Sequence, residues 1–261
     1  GLFFCGVVAG QHDPHRNAVR HIAGGKWEQA RRELANAESE DSETHFVQML
    51  ASLAAEETES ALAHAQAALA AGLPLERLVA GPRKMLRPLY GTAAYQGWLT
   101  QRQPSPLLHG PMVGSVTSES AAFWVRTASS AAIQVRVFAG PPGSQVAVSE
   151  PVSTTAAGDY AAIAHVRGLR PATDYRYEVW VGGKHMAAEN TRFQTFPAPH
   201  AGARFGVAFG GGAGFVPKWE SMWDTIGATS PIALLMLGDN VYIDDPTHAL
   251  TGRYCYYRRQ S

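Results

Sequence analysis

Three carboxylates fall within seven residues near the C-terminal end of the chain. They are Asp239, Asp244 and Asp245, with Asn240 and Tyr242 among them. They follow directly on an apolar run, Ile232 to Leu237, in the string "LLMLGDNVYIDDP". A carboxylate at the mouth of an apolar strand is poorly hydrated, and burying its charge without a partner is costly. A hard cation resolves that cost, because carboxylate and phenolate oxygens both suit Mn, Fe, Ca or Mg. Tyr242 lies three residues beyond Asp239, close enough to share the ion. Asp244 and Asp245 could reach it too, but Asp-Asp-Pro is more often a turn or helix cap. Asn240 is placed either to hydrogen-bond an anion or to shape a turn, and His248 reads as a surface histidine.

Two strands and a helix have to position these groups. "RFGVAFG" reads as a buried strand and "GGGAGF" as a loop. "VPKWESMWDTIGATS" reads as a helix with Trp219, Met222, Trp223 and Ile226 on one stripe, Pro217 in its first turn and Gly227 at its end. "PIALLML" is the second strand. A strand, a helix and a strand make a βαβ unit with parallel strands and a right-handed crossover. Ligands of such sheets bind at the carboxyl ends of the strands. The turn Gly210–Gly212 and the pair Gly238-Asp239 are therefore expected at one edge. Neither a Walker loop nor Gly-x-Gly-x-x-Gly is present, since Phe215 stands where the third glycine belongs.

The rest of the chain divides by period. Residues 15–102 read as helices. "GKWEQARRELANAE" places Trp27, Ala30 and Leu34 on one face, and Ser42 is a candidate N-cap for a stripe of Phe46, Met49, Leu50 and Leu53. An Ala-rich helix follows and stops at Gly72 and Pro74, and a further helical stretch covers 83–101. The spacing suggests a tetratricopeptide-like pair acting as a packing module, with His21, His45 and His64 showing no ligand spacing. Residues 101–114 read as a linker. From 108 to 198 the period drops to two, as in an antiparallel β-sandwich. The N-terminal segment 1–14 is apolar but too short to span a bilayer, and it reads as a signal-peptide remnant or a buried end.

The 22 basic and 22 acidic residues balance overall, and they balance again within each region. No segment has the basic excess that nucleic acid demands, so nucleic acid is not an expected partner. Cys5 and Cys255 are too few for a disulfide framework.

Two resemblances follow from these strings. "SAAFWVR" with "VRGLRPATDYRYEVWV" looks like a fibronectin type III domain. That resemblance implies that Trp124 fills the core and that Leu169, Pro171, Thr173 and Tyr175 form its corner. "GPMVGSVTSESAAFWVR", "RFGVAFGGG" and "LLMLGDNVYIDDP" together resemble PhoD-like alkaline phosphatases of the calcineurin-like metallophosphoesterase superfamily. The resemblance covers about 110–261. It implies a multidomain α+β protein in which 203–261 begins a layered αββα catalytic domain.

By the same resemblance, Asp239 bridges two di- or trivalent metal ions and Tyr242 binds one of them. Phosphate mono- or diesters are then hydrolysed, with Asp239 and Asn240 at the chemistry. Gly211, Gly212 and Arg258 are candidates for substrate binding. The family usually has a Ser-Cys pair after the first strand, and this chain has Gly211-Gly212, which lacks that ligand. Later Asp-His motifs would lie beyond Ser261, so the expectation is a fragment, incomplete and inactive by itself, of a longer periplasmic or extracellular enzyme, anchored at most through its N-terminus. The alternative is a scaffold of helical repeats and a fibronectin-like module carrying a degenerate phosphatase remnant, with protein partners met through the helical region.

Overall fold

The structure is a computed structural model. It describes residues 13–35, 37, 41–140, 143–189, 191–214, 220–243, 245 and 247–261. The expectations placed on the N-terminal segment before Asp13, Cys5 included, and on Phe215, Pro217, Trp219, Asp244 and Pro246, lie outside these residues. Helices occupy the N-terminal part and antiparallel sheets follow, a mixed α+β chain that clusters into two compact units. No helix among the described residues is long and apolar enough to cross a membrane.

The first unit joins the helical region to residues 243–258. Its helices are α1 (Pro14–Ala23), α2 (Trp27–Leu34), α3 (Ser42–Ala54), α4 (Thr58–Ala70), α5 (Leu75–Ala80), α6 (Arg83–Tyr90) and α7 (Ala93–Arg102). α3 begins one residue earlier than Ser42 as cap would require. Asp41 is the N-cap, and its carboxylate accepts from Thr44 N at 3.0 Å. The single helix expected over 83–101 is two helices. Thr92 starts the second by accepting from Tyr95 N, and Pro88 weakens the ladder of the first. Val19, Ile22, Phe46, Val47, Leu50, Ala61, Ala65, Leu78, Leu86 and Leu89 are buried. The small residues on α4 let it lie close to α3.

The last helix, α9 (Ala249–Gln260), belongs chiefly to this unit, so the region expected as one domain from 203 to 261 is split. Tyr254 is fully buried and stacks on Phe46 at 6.4 Å, and Arg258 donates to Asp13, the N-cap of α1. Arg77 is 1% exposed, donates to Glu43 at 2.9 Å and lies 4.4 Å from the Phe46 ring. An ion pair between residues 245 positions apart leaves no local trace in a sequence, which is why α9 could not be assigned to the helical unit beforehand.

This buried polar cluster makes the unit sensitive to acid. Burial holds His15 below its ordinary value, outweighing Glu43, Asp13 and Asp41, while Arg258 pushes the same way as burial. Burial raises the Asp13 carboxyl, but the hydrogen bond and charge of Arg258 overcome it and the net shift is downward. The unfolded chain therefore takes up protons that the folded unit refuses, first as pH falls below about 6.5 and again through the carboxylate range. Thermal unfolding of the helical signal is expected at progressively lower temperature from pH 8 to pH 5. His15→Gln should flatten the upper part of that dependence. A midpoint that rises on acidification would contradict the assignment.

The second unit contains a β-sandwich. One sheet has the order β1 (Leu107–Gly114), β2 (Ser120–Thr127), β6 (Ala161–Arg167). The other runs β4 (Ser144–Val148), β3 (Ala132–Ala139), β7 (Asp174–Val181), β8 (Lys184–Met186). β5 (Val152–Ser153) pairs with β3 and β9 (Arg192–Gln194) with β7. The core between them is Ala121, Phe123, Val125, Ile133, Val135, Val137, Ala164, Val166, Leu169, Tyr175, Tyr177, Val179 and Val181.

Trp124 is not in that core. Phe123 is, at 0% exposure, with its ring 4.8 Å from Tyr177. Trp124 sits on the opposite face of β2, in register with Met112 and Ile163, which are 50% and 49% exposed.

At the turn that the fibronectin resemblance reads as a corner, Tyr175 Oη accepts from Arg170 N at 2.7 Å. Tyr175→Phe leaves that amide without its acceptor and should cost about 1 kcal/mol in chemical denaturation. A neutral result would make the corner decorative.

Candidate functional site

The two strands whose carboxyl ends were expected to carry the site lie in the second unit. β10 (Val207–Gly210) and β11 (Ala233–Met236) pair in parallel, Val207 with Ala233 through Gly210 with Met236. Between them in sequence lies α8 (Met222–Ala228), as the βαβ reading required.

The pair is not buried, contrary to the expectation of buried strands. Phe209 is 72% exposed, Leu235 52% and Leu237 68%, and α8 contains no buried residue. The physical reason lies in the layers. A parallel pair is normally sandwiched by helices and flanked by further strands, and among the described residues this sheet has two strands.

The two loops meet where the strands end. Gly212 N donates to Gly238 O at 3.3 Å, and a Cβ on Gly211 would stand 3.0 Å from that same oxygen. A side chain at Gly211 would have to push that carbonyl back, so glycine suits so close an approach. Asp239 follows with φ +49°, a left-handed conformation that aspartate tolerates better than most residues and that clusters at functional sites. Tyr242 Oη donates to Asp239 Oδ2 at 3.2 Å. The Tyr242 phenol is pushed above its ordinary value, by desolvation first and then by the charge of Asp239 and the hydrogen bond to it. Solvent moderates this, since Tyr242 is 40% exposed. The phenol therefore keeps its proton and donates a hydrogen bond to the carboxylate.

Asp239 and Asn240 are both exposed. The desolvation that was to force a cation onto Asp239 is absent, because nothing among the described residues covers this end of β11. What remains is the oxygen pair. A carboxylate and a phenol 3.2 Å apart offer two donors suited in kind to a hard cation, which takes about six or more. Among the described residues, no three of His, Cys, Asp or Glu converge on a metal position.

Gly212 is turned toward this pair. A Cβ there would lie 3.7 Å from Tyr242 Oη, but φ is +75°, so a side chain would point at the site only under backbone strain.

The other candidates go elsewhere. Arg258 is 7% exposed and spends its guanidinium on Asp13 and Tyr254 inside the helical unit, so it is not a solvent-facing phosphate fork. Asp245 has the turn role, accepting from Thr247 N at 3.2 Å and pairing with Arg20 at 3.3 Å. His248 Nδ1 contacts Thr251 Oγ1 at 2.7 Å. Cys255 is a buried thiol among Tyr254 and Tyr257.

One juxtaposition had no signal in the sequence. His45 and His64, on different helices, stack with their centroids 6.3 Å apart.

Comparison with known proteins gives a family match to residues 104–200, described as a domain of unknown function, DUF7800. No curated protein matches the chain. Among solved structures, PhoD is similar at 16% identity and a TM-score of 0.49, over 57% of this chain and 34% of that one. This chain thus spans about a third of the PhoD structure. The sensor domain of the anti-sigma factor RsgI4 of Pseudobacteroides cellulosolvens is similar at 20% identity and a TM-score of 0.28, over 36% of this chain and 98% of that domain.

Proposed function

We propose that this chain carries the opening βαβ unit of a metal-dependent phosphate ester hydrolase of the PhoD-like type, preceded by a fibronectin-like sandwich. The observation that carries the reading is the Asp239–Tyr242 oxygen pair at the carboxyl end of a parallel strand pair, facing a glycine turn. The apolar surface of Phe209, Leu234, Leu235 and Leu237 supports it further, because a parallel pair this exposed calls for covering layers of the same domain.

In this reading Asp239 offers two carboxylate oxygens, and its rotamer is held by the Tyr242 hydroxyl. Asn240, exposed beside it, presents an amide to a phosphoryl oxygen. The Gly211-Gly212 turn keeps the approach free of side chains. Fe, Ca, Mn or Mg bound to these oxygens would lower the pKa of a bound water and neutralise phosphoryl charge. With two donors from the described residues, further ligands are needed to complete the coordination.

The alternative reading is a scaffold with a degenerate remnant. It is favoured by Gly212, which has no ligating atom, and by the exposure of Asp239. Hydrolysis of aryl phosphate mono- and diesters by the full-length protein that this reading implies, assayed with added Mn, Fe and Ca, separates the two. Turnover that a chelator removes and metal restores supports the hydrolase. Absence of turnover under every metal condition supports the scaffold.

A further inference from the structure

The stacked histidines of the helical unit border a cleft of about 310 Å³ between α2, α3 and α4. Among the described residues it is lined by Arg31, Leu34, Ala35, Gln48 and His64. The volume sits at the lower end of the range for small-molecule sites. Its two sides differ in chemistry. Leu34, only 4% exposed, and Ala35 supply an apolar wall. Arg31, Gln48 and His64 supply hydrogen-bonding groups, and His45 backs His64 with its own Nδ1 3.3 Å from Gln48 Oε1.

We propose that this cleft binds a small organic carboxylate, its apolar body against Leu34 and Ala35 and its carboxylate on His64 and Arg31. The argument rests on charge and shape together. Arg31 stacks on Trp27 at 4.9 Å and forms an ion pair with Glu57, which balances one cation with one anion. Protonating His64 adds a positive charge that, among the described residues, only Glu57 opposes, and Glu57 is already paired with Arg31. The groups facing it are His45 from α3, Arg31 from α2 and Glu57 at the start of α4. Accordingly, burial and then the charges of His45 and Arg31 hold His64 below its ordinary value, with Glu57 opposing. A bound carboxylate supplies the missing negative charge. Binding and protonation of His64 then favour one another, and affinity rises as pH falls. The apolar wall selects an organic acid over a bare inorganic anion, whose hydration it could not replace. This site is independent of the hydrolase reading.

The test uses the 261-residue chain with benzoate as probe and benzamide as a neutral control of the same shape, by calorimetric titration at pH 6 and pH 8. Saturable benzoate binding is expected, about tenfold tighter at pH 6, with proton uptake visible as a dependence of the heat on the buffer. Benzamide should bind at least about tenfold more weakly. His64→Ala should lose about tenfold in benzoate affinity with an unchanged melting temperature. If that variant does not fold, the His64 ring resonance in the unmodified chain provides the readout, since its titration should move upward in pH on adding benzoate. Equal binding of benzoate and benzamide, pH-independent affinity, or a His64 resonance indifferent to benzoate would each overturn the proposal.

Discussion

Phe123→Ala is expected to destabilise the β-sandwich by about 3–5 kcal/mol, whereas Trp124→Ala next to it should cost about 1 kcal/mol. The larger side chain gives the smaller effect because of which face it occupies. Phe123 is fully enclosed, with its ring against Tyr177 and edge-on to Phe193 at 5.6 Å. Removing it opens a void between the two sheets that the strand ladders cannot close. Trp124 lies half-buried in a row with Met112 and Ile163, so its loss uncovers surface that is already partly wet. Chemical denaturation of the two variants, followed by a signal from the sandwich, decides the point. Equal losses, or a larger loss for Trp124, would put the tryptophan back in the core.

The misassignment of Trp124 shows what a strand pattern can and cannot convey. β2 is apolar on both faces, so its alternation does not announce which parity is inward. The fibronectin resemblance then pointed to the tryptophan. The discriminating residue was nevertheless present. Arg126 shares the parity of Trp124, and an arginine belongs on the outer face, where this one donates to Asp159 O at 2.9 Å. Ala121, Phe123 and Val125 share the other parity and form the core.

The βαβ unit was legible for the converse reason. Two apolar runs separated by a helix-length segment and closed by glycines admit few other arrangements. Its exposure was not legible, because burial depends on layers supplied by distant parts of a fold and no local string records them. The same holds for Arg258, whose two neighbouring positions suggest a basic helix face until Asp13, far away in the chain, is brought to it. Asp239 stands between these cases. Its contact with Tyr242 followed from three-residue spacing, while the hydration of its charge did not.

That distinction shapes what Asp239→Asn should do. In the full-length protein that the hydrolase reading implies, assayed with added Mn, Fe or Ca, the substitution should abolish metal-dependent ester hydrolysis and weaken metal binding by at least about a hundredfold, equivalent to about 3 kcal/mol. It should leave the fold intact, because Asp239 is exposed and its one side-chain hydrogen bond among the described residues is to Tyr242, which an amide oxygen can still accept. Thermal unfolding should therefore be unchanged while metal affinity collapses, a combination that a structural role would not produce.

Tyr242 adds a pH signature. Its phenol is held above its usual value by partial desolvation and by Asp239, so a cation that takes the phenolate must displace that proton. Metal affinity should rise with pH in the original chain, and Tyr242→Phe should remove part of that rise while Asp239 still binds. Metal binding in Asp239→Asn equal to that of the original chain would show that the oxygen pair holds nothing, and the hydrolase reading would fall with it.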